Sequence, residues 1–306
     1  MGNTARVIAD FGADYLIDDG TSTRRAMARR SDPAVGDWVV VEGDLIVEVM
    51  PRRTAFSRRA AGVENRQQIL AANVDVAFVV AAATDVNERR IERYLTIAWQ
   101  SGAVPLVVIT KADLVPSFHP PPLPAPVIVT SSLTGEGLGE VAAQLVPDRT
   151  GVLLGPSGAG KSSLINGLTG TQLMRTREVH RTGEGRHMTS HRQLIRIPGG
   201  GAIIDTPGLR EAQLWEGEDA LSGVFEDVED LALRCRFSDC VHDTEPGCAV
   251  KAAISTGVLD AGRLQSYRKL QRELRAIAAK SDARIRIEDR KKWKHITMSA
   301  RSKIRP

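Results

Sequence analysis

The segment GPSGAGKS, residues Gly155 to Ser162, limits the possible folds of this chain more than any other feature. Two glycines with four residues between them precede Lys161 and Ser162, and the segment lies between an apolar strand pattern, GVLL, and a helical pattern, SSLINGLTG. A strand, a glycine-rich turn and a helix in this order form a phosphate-binding loop, in which backbone N–H groups point at phosphate oxygens. The segment therefore predicts an α/β nucleotide-binding domain, and a structural turn without nucleotide is the alternative.

The residues of this loop have separate predicted roles. We expect Lys161 to reach the β and γ phosphates, where it would also assist catalysis, and Ser162 to supply a ligand to Mg²⁺. The remaining nucleotide contacts of the loop are expected from Gly155, Ser157, Gly158, Ala159, Gly160 and Ser163.

Two further segments downstream fit the switches of a nucleoside triphosphatase. In IIDTPG, Asp205 ends an apolar strand and is expected to hold Mg²⁺ through water. The Gly208 N–H that follows would contact the γ-phosphate. Taken alone, DTPG could instead be an Asp-capped turn. The polar segment before it takes the place of a first switch. In this segment Thr189 is the first candidate for the hydroxyl that contacts Mg²⁺, and Ser190 is the second. His187 is expected to lie near the reacting phosphate, and a solvated loop histidine is the alternative.

A base-recognition motif, TKAD, comes before the phosphate loop rather than after it. The Asp113 carboxylate can accept two parallel hydrogen bonds from guanine N1–H and its N2 amine, which adenine does not offer. Thr110 belongs to the same motif, and Lys111 would lie along the purine ring. Ser131 and Ser132, in TSSL after the next predicted strand, would cover the base from the other side.

The unusual order of these motifs predicts a circular permutation. Each motif follows a predicted strand, and open α/β sheets bind ligands at the carboxyl ends of their strands. The pocket can therefore form whichever strand comes first in the chain.

The 306 residues divide into three predicted domains. Residues 1–65 read as five short strands and predict an OB-fold-like barrel, a fold that can bind RNA. Residues 66–220, with strands and helices in alternation, predict the permuted nucleotide-binding domain with a parallel sheet. Residues 221–306 predict a mainly α-helical metal-binding domain with a basic tail. Arginines that could line a nucleic-acid groove on the barrel, or simply be scattered over its surface, are Arg24, Arg25, Arg29, Arg30, Arg52, Arg53, Arg58 and Arg59.

All three cysteines of the chain, Cys235, Cys240 and Cys248, fall in one short segment together with His242. Three thiolates and an imidazole form a closed tetrahedral set suited to zinc, with no open position for a substrate, so the predicted ion is structural. Reduced cysteines without a metal are the alternative.

The carboxyl-terminal region is basic. From Arg263 onward there are fifteen Lys or Arg residues against four acids, which indicates a polyanionic partner such as nucleic acid or, alternatively, a solvated helical face. No run of about 18 apolar residues occurs, so no membrane span is expected. The amino terminus lacks a secretory pattern, and the expected compartment is the cytoplasm.

Together, these segments resemble the circularly permuted GTPases of the ribosome small subunit-dependent GTPase A family. The resemblance rests on the barrel pattern, TKAD, GPSGAGKSS, GRHMTSHR, DTPG and the ending CRFSDCVHDTEPGCAV. It implies a GTPase that uses Mg²⁺ with GTP, binds the small ribosomal subunit and its rRNA, is stimulated by that subunit and assists its late maturation. A monomer is expected.

The chain departs in several places from the pattern of this family and of GTPases at large. The family's first switch usually has three consecutive threonines where this chain has Met188, Thr189 and Ser190, and Thr110 replaces an asparagine common in GTPases. Leu209 follows the second-switch glycine where many GTPases have a water-orienting glutamine, so slow intrinsic turnover is expected. The resemblance suggests His187 as the substitute.

Two other functions fit the residues. One is a nucleotide-regulated, rRNA-binding assembly scaffold with negligible turnover. The other is a phosphate-loop ATPase, which Asp113 disfavours.

Overall fold

The amino-terminal strands form a closed five-stranded barrel in the computed structural model, which describes residues 3–29, 31–59, 67–171, 192–205 and 219–281. The strands are β1 (Asn3–Asp10), β2 (Tyr15–Asp18), β3 (Thr23–Ala28), β4 (Trp38–Glu42) and β5 (Leu45–Val49). The barrel closes because β1 pairs with both β2 and β4, while β5 pairs with β3 and β4. Alternate residues such as Val7, Ile17 and Val39 point inward and are fully buried, as the period of two along a strand requires.

A separate antiparallel hairpin follows the barrel. It consists of β6 (Ala55–Arg59) and β7 (Gln67–Ala72), which pair only with each other. The predicted boundary between residues 65 and 66 falls in the connection between these strands, outside the described residues.

The nucleotide-binding region is a parallel sheet covered by helices. Its parallel strands are β8 (Val76–Ala82), β9 (Val104–Thr110), β10 (Val127–Val129), β11 (Thr150–Leu154) and β13 (Ala202–Asp205), in the order β10-β9-β8-β11-β13. The helices of this region are α1 (Glu88–Ser101), α2 (Leu138–Ala143) and α3 (Lys161–Thr169). Every residue of β8 and of β11 is buried, as expected of strands covered on both faces.

One antiparallel strand joins this sheet to the barrel. Strand β12 (Arg192–Arg196), which the sequence analysis did not predict, pairs with β13 on one side and with β1 on the other, so both regions share one eleven-stranded sheet. Arg192 donates to Asp10 at 2.9 Å and Arg196 pairs with Asp18, so two ion pairs cross the same junction.

The chain divides into two compact units between Gln213 and Leu214. The described part of the second unit contains α4 (Asp219–Ala232), α5 (Ala249–Ser255) and α6 (Ala261–Ser281). Helix α6 packs through an apolar stripe, since Leu264, Leu270 and Leu274 are buried and the Tyr267 ring meets Phe225 edge to face with 5.4 Å between centroids. None of the described helices combines the length and hydropathy that a membrane span requires.

Candidate nucleotide site and metal centre

The phosphate loop lies between the end of β11 at Leu154 and the start of α3 at Lys161. Gly155 has a φ of 147°, and a Cβ there would lie 2.3 Å from the Val80 carbonyl oxygen. The loop can therefore turn this close to β8 only with glycine at that position. Ser162 and Ser163 belong to the first turn of α3, whose N-terminus offers backbone N–H groups and a positive dipole end to an anion.

Lys161 folds back onto its own loop. Its Nζ donates to the carbonyl oxygens of Gly155 at 2.8 Å and Pro156 at 2.6 Å. These bonds hold the ammonium group beside the turn, where it can reach phosphate oxygens.

Asp205 lies at the end of β13, the strand next to β11. Burial raises the pKa of its carboxyl group, and the positive charge of Lys161 partly offsets that effect. A partly buried carboxylate close enough to feel the charge of Lys161 is suited to a hydrated Mg²⁺, because magnesium prefers oxygen ligands and keeps several waters. The donor set Ser162 and Asp205 therefore fits the ion that the motifs imply.

The base-recognition motif follows β9. Lys111 has a left-handed φ of 59°, and the exposed Asp113 comes two residues later in a short 3₁₀ turn. The buried Ser131 donates its hydroxyl to Asp113 Oδ1 at 2.5 Å. This bond fixes one carboxylate oxygen and thus the orientation of the carboxylate that is predicted to read the base.

Ser131 also organises the segment that follows β10. Its Oγ accepts hydrogen bonds from the backbone N–H groups of Leu133 and Thr134, both at 3.2 Å. Ser132 lies inside this turn, so the residues predicted to cover the base are held in the same network as the residue predicted to read it.

Two hydrogen bonds connect the base-recognition motif directly to the phosphate loop. Thr110 Oγ1 donates to the Ala159 carbonyl oxygen at 2.6 Å, and Lys111 Nζ donates to that of Gly158 at 2.8 Å. Gly160 is packed so closely that a Cβ there would lie 2.8 Å from Thr110 Oγ1. Residues nearly fifty positions apart in the chain thus form one continuous site.

The remaining predicted nucleotide-site residues are not described by the structure. His187, Thr189, its alternative Ser190, and Gly208 all lie outside the described residues. Their roles stay predictions.

The four predicted metal ligands come together in the second unit. The candidate ligand atoms of Cys235, Cys240, His242 and Cys248 all lie within 4.8 Å of one another. His242 Nδ1 is 3.6 Å from Cys235 Sγ and 3.5 Å from Cys248 Sγ. Cys235 and Cys240 precede α5 in the chain, and Cys248 is its N-cap.

The surroundings of this cluster favour the metal-binding forms of His242 and Cys235, whereas burial raises the pKa of the Cys240 thiol to about 11. Burial, and then the charge of Arg268, lower the pKa of His242, which favours the neutral imidazole that binds metal. Burial opposes ionisation of Cys235, but hydrogen bonds from the backbone N–H groups of Val250 and Ala249 and from the thiols of Cys240 and Cys248 together lower the pKa of that thiol. A Cys₃His set of this size fits a tetrahedral zinc ion.

The metal loop contains one supporting residue that the sequence analysis missed. Glu245 accepts hydrogen bonds from the backbone N–H groups of Val241 at 3.1 Å and Asp243 at 2.8 Å, on both sides of His242. His242 itself has a left-handed φ of 61°, so the carboxylate stabilises a turn that presents this ligand. An acid within a turn-forming DTEPG segment was the available signal.

Several arginines proposed for a groove on the barrel are engaged within the protein. Arg52 makes two bonds to the fully buried Asp37, at 2.7 and 2.6 Å. Arg53 pairs with Asp75 at 3.1 Å and Arg25 with Asp14 at 2.5 Å. Arg24 pairs with Asp44 at 3.1 Å. Arg30 lies outside the described residues.

Comparison with known proteins identifies relatives over nearly the whole chain. A family model described as RsgA GTPase matches residues 49–215, and one described as 50S ribosome-binding GTPase matches residues 150–302. The small ribosomal subunit biogenesis GTPase RsgA 1 of Oceanobacillus iheyensis is 44% identical over 320 residues, covering 96% of this chain and 91% of that protein. Its counterpart named RsgA in Streptomyces avermitilis is 50% identical over 277 residues, covering 85% and 74%.

Solved structures show the same fold. YjeQ from Thermotoga maritima matches with a TM-score of 0.64 at 24% identity, covering 90% of this chain and 99% of that one. YloQ, described as a circularly permuted GTPase, matches with a TM-score of 0.62 at 23% identity, covering 90% and 96%. The predicted fold class of barrel, permuted phosphate-loop domain and Cys₃His region is thereby confirmed.

Proposed function

Because the chain belongs to the RsgA GTPase family, we propose that this GTP hydrolase acts on the small ribosomal subunit, which stimulates it, and assists late maturation of that subunit. The relatives carry small ribosomal subunit biogenesis in their names, and the proposal extends that role to this chain. The nucleotide-binding part of this proposal rests on the two hydrogen bonds from Thr110 and Lys111 to the phosphate loop.

We assign nucleotide binding to residues that the structure describes. Asp113, oriented by Ser131, pairs with the guanine edge, while Lys161 and the N–H groups of the loop neutralise and hold the phosphates. Ser162 and Asp205 would hold Mg²⁺, which supplies further charge neutralisation on the β and γ phosphates when GTP is bound.

We assign the hydrolytic step to residues of the two switches. His187 would orient the attacking water in place of the glutamine that Leu209 replaces, and Thr189 would close on the metal. The Gly208 N–H would contact the γ-phosphate, so both switches would respond to its loss.

We also propose how the domains divide the work. Residues 1–65 bind the ribosome, residues 66–220 bind and hydrolyse GTP, and residues 221–306 carry the zinc and a basic tail for rRNA. The protein acts as a monomer in the cytoplasm, where its ribosomal partner is found. GTP would favour the subunit-binding arrangement and GDP its release.

Phosphate release from GTP, measured with and without small subunits, tests the activity. The native chain should turn over slowly alone and faster with subunits, and Lys161→Ala should abolish both rates. His187→Ala should retain GTP binding but lose the stimulation. Full stimulation of His187→Ala would refute that assignment, and absence of turnover in the native chain with subunits would favour a scaffold.

Subunit binding in the two nucleotide states tests the proposed cycle. Affinity should be higher with a non-hydrolysable GTP analogue than with GDP. Equal affinities would contradict a GTP-controlled release.

A further inference from the structure

The barrel is acidic, which is unexpected for a surface that binds nucleic acid. Residues 1–50 contain nine Asp or Glu and five Arg, a difference of −4, and no Lys. Phosphate contacts supply most of the affinity of nucleic-acid-binding proteins and require free cations. Arg24 and Arg25 are paired with Asp44 and Asp14, so the barrel offers few cations for this purpose.

The outer face of β3, β5 and β4, which we call the outer barrel face, is unusually apolar for an exposed surface. Four large side chains there are exposed by 38 to 55%: Met27, Trp38, Val47 and Met50. The sheet register places Met50 beside Trp38, whose carbonyl oxygen accepts a hydrogen bond from the Met50 N–H at 2.9 Å, and it places Met27 opposite Leu45, two residues before Val47. Exposed apolar side chains grouped in this way indicate a protein contact surface.

Two glutamates lie within the same face. Glu48 is opposite Val40, and Glu42 is two residues further along β4, on the same side of the strand. Both are exposed, and neither makes an ion pair with any residue in the described part of the chain. Their charges are therefore available to a cationic partner and would repel phosphate.

Trp38 adds a site for a cation. The Arg6 guanidinium already lies 5.5 Å from the centroid of its ring, so this indole accepts a cation–π contact. With 43% of the residue exposed, part of the ring remains open to a partner.

We propose that the outer barrel face binds a lysine- or arginine-rich protein segment of the small ribosomal subunit, and not its RNA. The inference rests on the proposed function, because it names which component of the subunit this domain meets. Apolar side chains of the segment would pack against Met27, Val47 and Met50, and its cations would pair with Glu42 and Glu48 or stack on Trp38.

Charge reversal separates a protein partner from RNA by the sign of its effect. The double variant Glu42→Lys, Glu48→Lys in the full-length chain should bind small subunits about tenfold more weakly at low salt, since like charges would then face each other. An RNA partner predicts tighter binding, and a face without a partner predicts no change. Either of these results would overturn the proposal.

A matched variant controls for net charge. Glu88→Lys, Glu140→Lys changes two exposed acids of α1 and α2 and alters the total charge equally, so it should leave subunit binding within about twofold of the native value, as is usual for surface substitutions. Native-like GTP affinity verifies the fold of both variants. If the native chain does not bind subunits, the proposed function fails; if it binds and the Glu42, Glu48 variant binds equally well, only this inference fails.

Photo-crosslinking identifies the partner directly. A photoreactive amino acid at Val47 should give a crosslink to subunits that resists ribonuclease and is lost with protease, while the same group at the exposed Thr23, at the other end of β3, should give little. A ribonuclease-sensitive product at Val47, or a yield no higher than at Thr23, would contradict the assignment.

Discussion

The nucleotide pocket and the metal cluster are built in opposite ways. The pocket brings together residues from Thr110 to Asp205, each placed by the end of a sheet strand and several bonded to main-chain carbonyl groups. The cluster draws all its ligands from residues 235–248, in a loop with little regular structure. A sheet can hold its site in shape before a ligand arrives, whereas a loop of thiols depends on its ion. We therefore expect the two sites to respond very differently when their ligands are removed.

Removal of the metal should have the largest effect. Structural zinc contributes about 10–16 kcal/mol of apparent binding free energy, which is also folding free energy. Cys248→Ser should abolish zinc retention and expose the backbone amides of α5 to hydrogen exchange, while GTP affinity stays near the native value. Zinc content and hydrogen exchange measure these effects.

The neighbouring Ser238→Ala provides the control for that variant. Ser238 is exposed in the same loop and is not one of the four ligands, so this change should preserve both zinc and protection. If Cys248→Ser retained both its zinc and the hydrogen-exchange protection of the α5 amides, the metal cluster would not be what stabilises this helix.

The base-recognition motif provides the next largest effect. Asp113→Asn loses two hydrogen bonds to a charged acceptor, worth about 1.5–3 kcal/mol each, so GTP affinity should fall by a factor of about 100 or more. Xanthosine triphosphate, which carries a carbonyl where guanine has the amine, should bind the variant better than GTP does. Unchanged GTP affinity in a competition assay would show that Asp113 does not face the base.

The link between the two motifs can be tested separately. Thr110→Val keeps the shape of the side chain and removes the hydroxyl that donates to Ala159. Loss of one such bond costs about 1 kcal/mol, so GTP affinity should fall about five- to tenfold with base preference retained. Titration with GTP, GDP and ATP checks this, and an unchanged GTP affinity would mean that the bond does not support the pocket.

Replacement of Asp205 should have the smallest effect. It should stabilise the folded protein, whereas the changes above weaken a site. Because burial raises its pKa in the folded state, its contribution to stability is greatest at low pH and is lost as pH rises through the folded-state pKa. At neutral pH without nucleotide, Asp205→Asn should therefore raise the free energy of unfolding by about 1 kcal/mol while weakening Mg²⁺-dependent GTP binding. Thermal melting across pH tests the sign, and a destabilised variant would contradict it.

Local sequence was sufficient for much of the fold and of both sites. The five barrel strands, α1 and the loop from Gly155 to Ser162 were predictable because alternation, helical periodicity and glycine spacing are read over a few residues. The cysteine cluster was predictable for the same reason, since its ligands are neighbours in the chain.

Pairing between segments that are far apart in the chain could not be predicted from local sequence. Strand β12 was missed because its partner in the barrel, β1, precedes it by more than 180 residues, and its short RQLIR segment carries no distinct pattern. The hairpin β6–β7 was missed because polar residues interrupt its strands. TKAD indicated a base reader, but its hydrogen bonds to Gly158 and Ala159 depend on tertiary packing.

A crystal structure with GDP and Mg²⁺ would test directly whether the motifs in permuted order form one pocket for one nucleotide. We expect the guanine edge on Asp113 and the diphosphate on the loop beside Lys161, bridged by a single ribose. A base bound away from Asp113, with phosphates still on the loop, would contradict it.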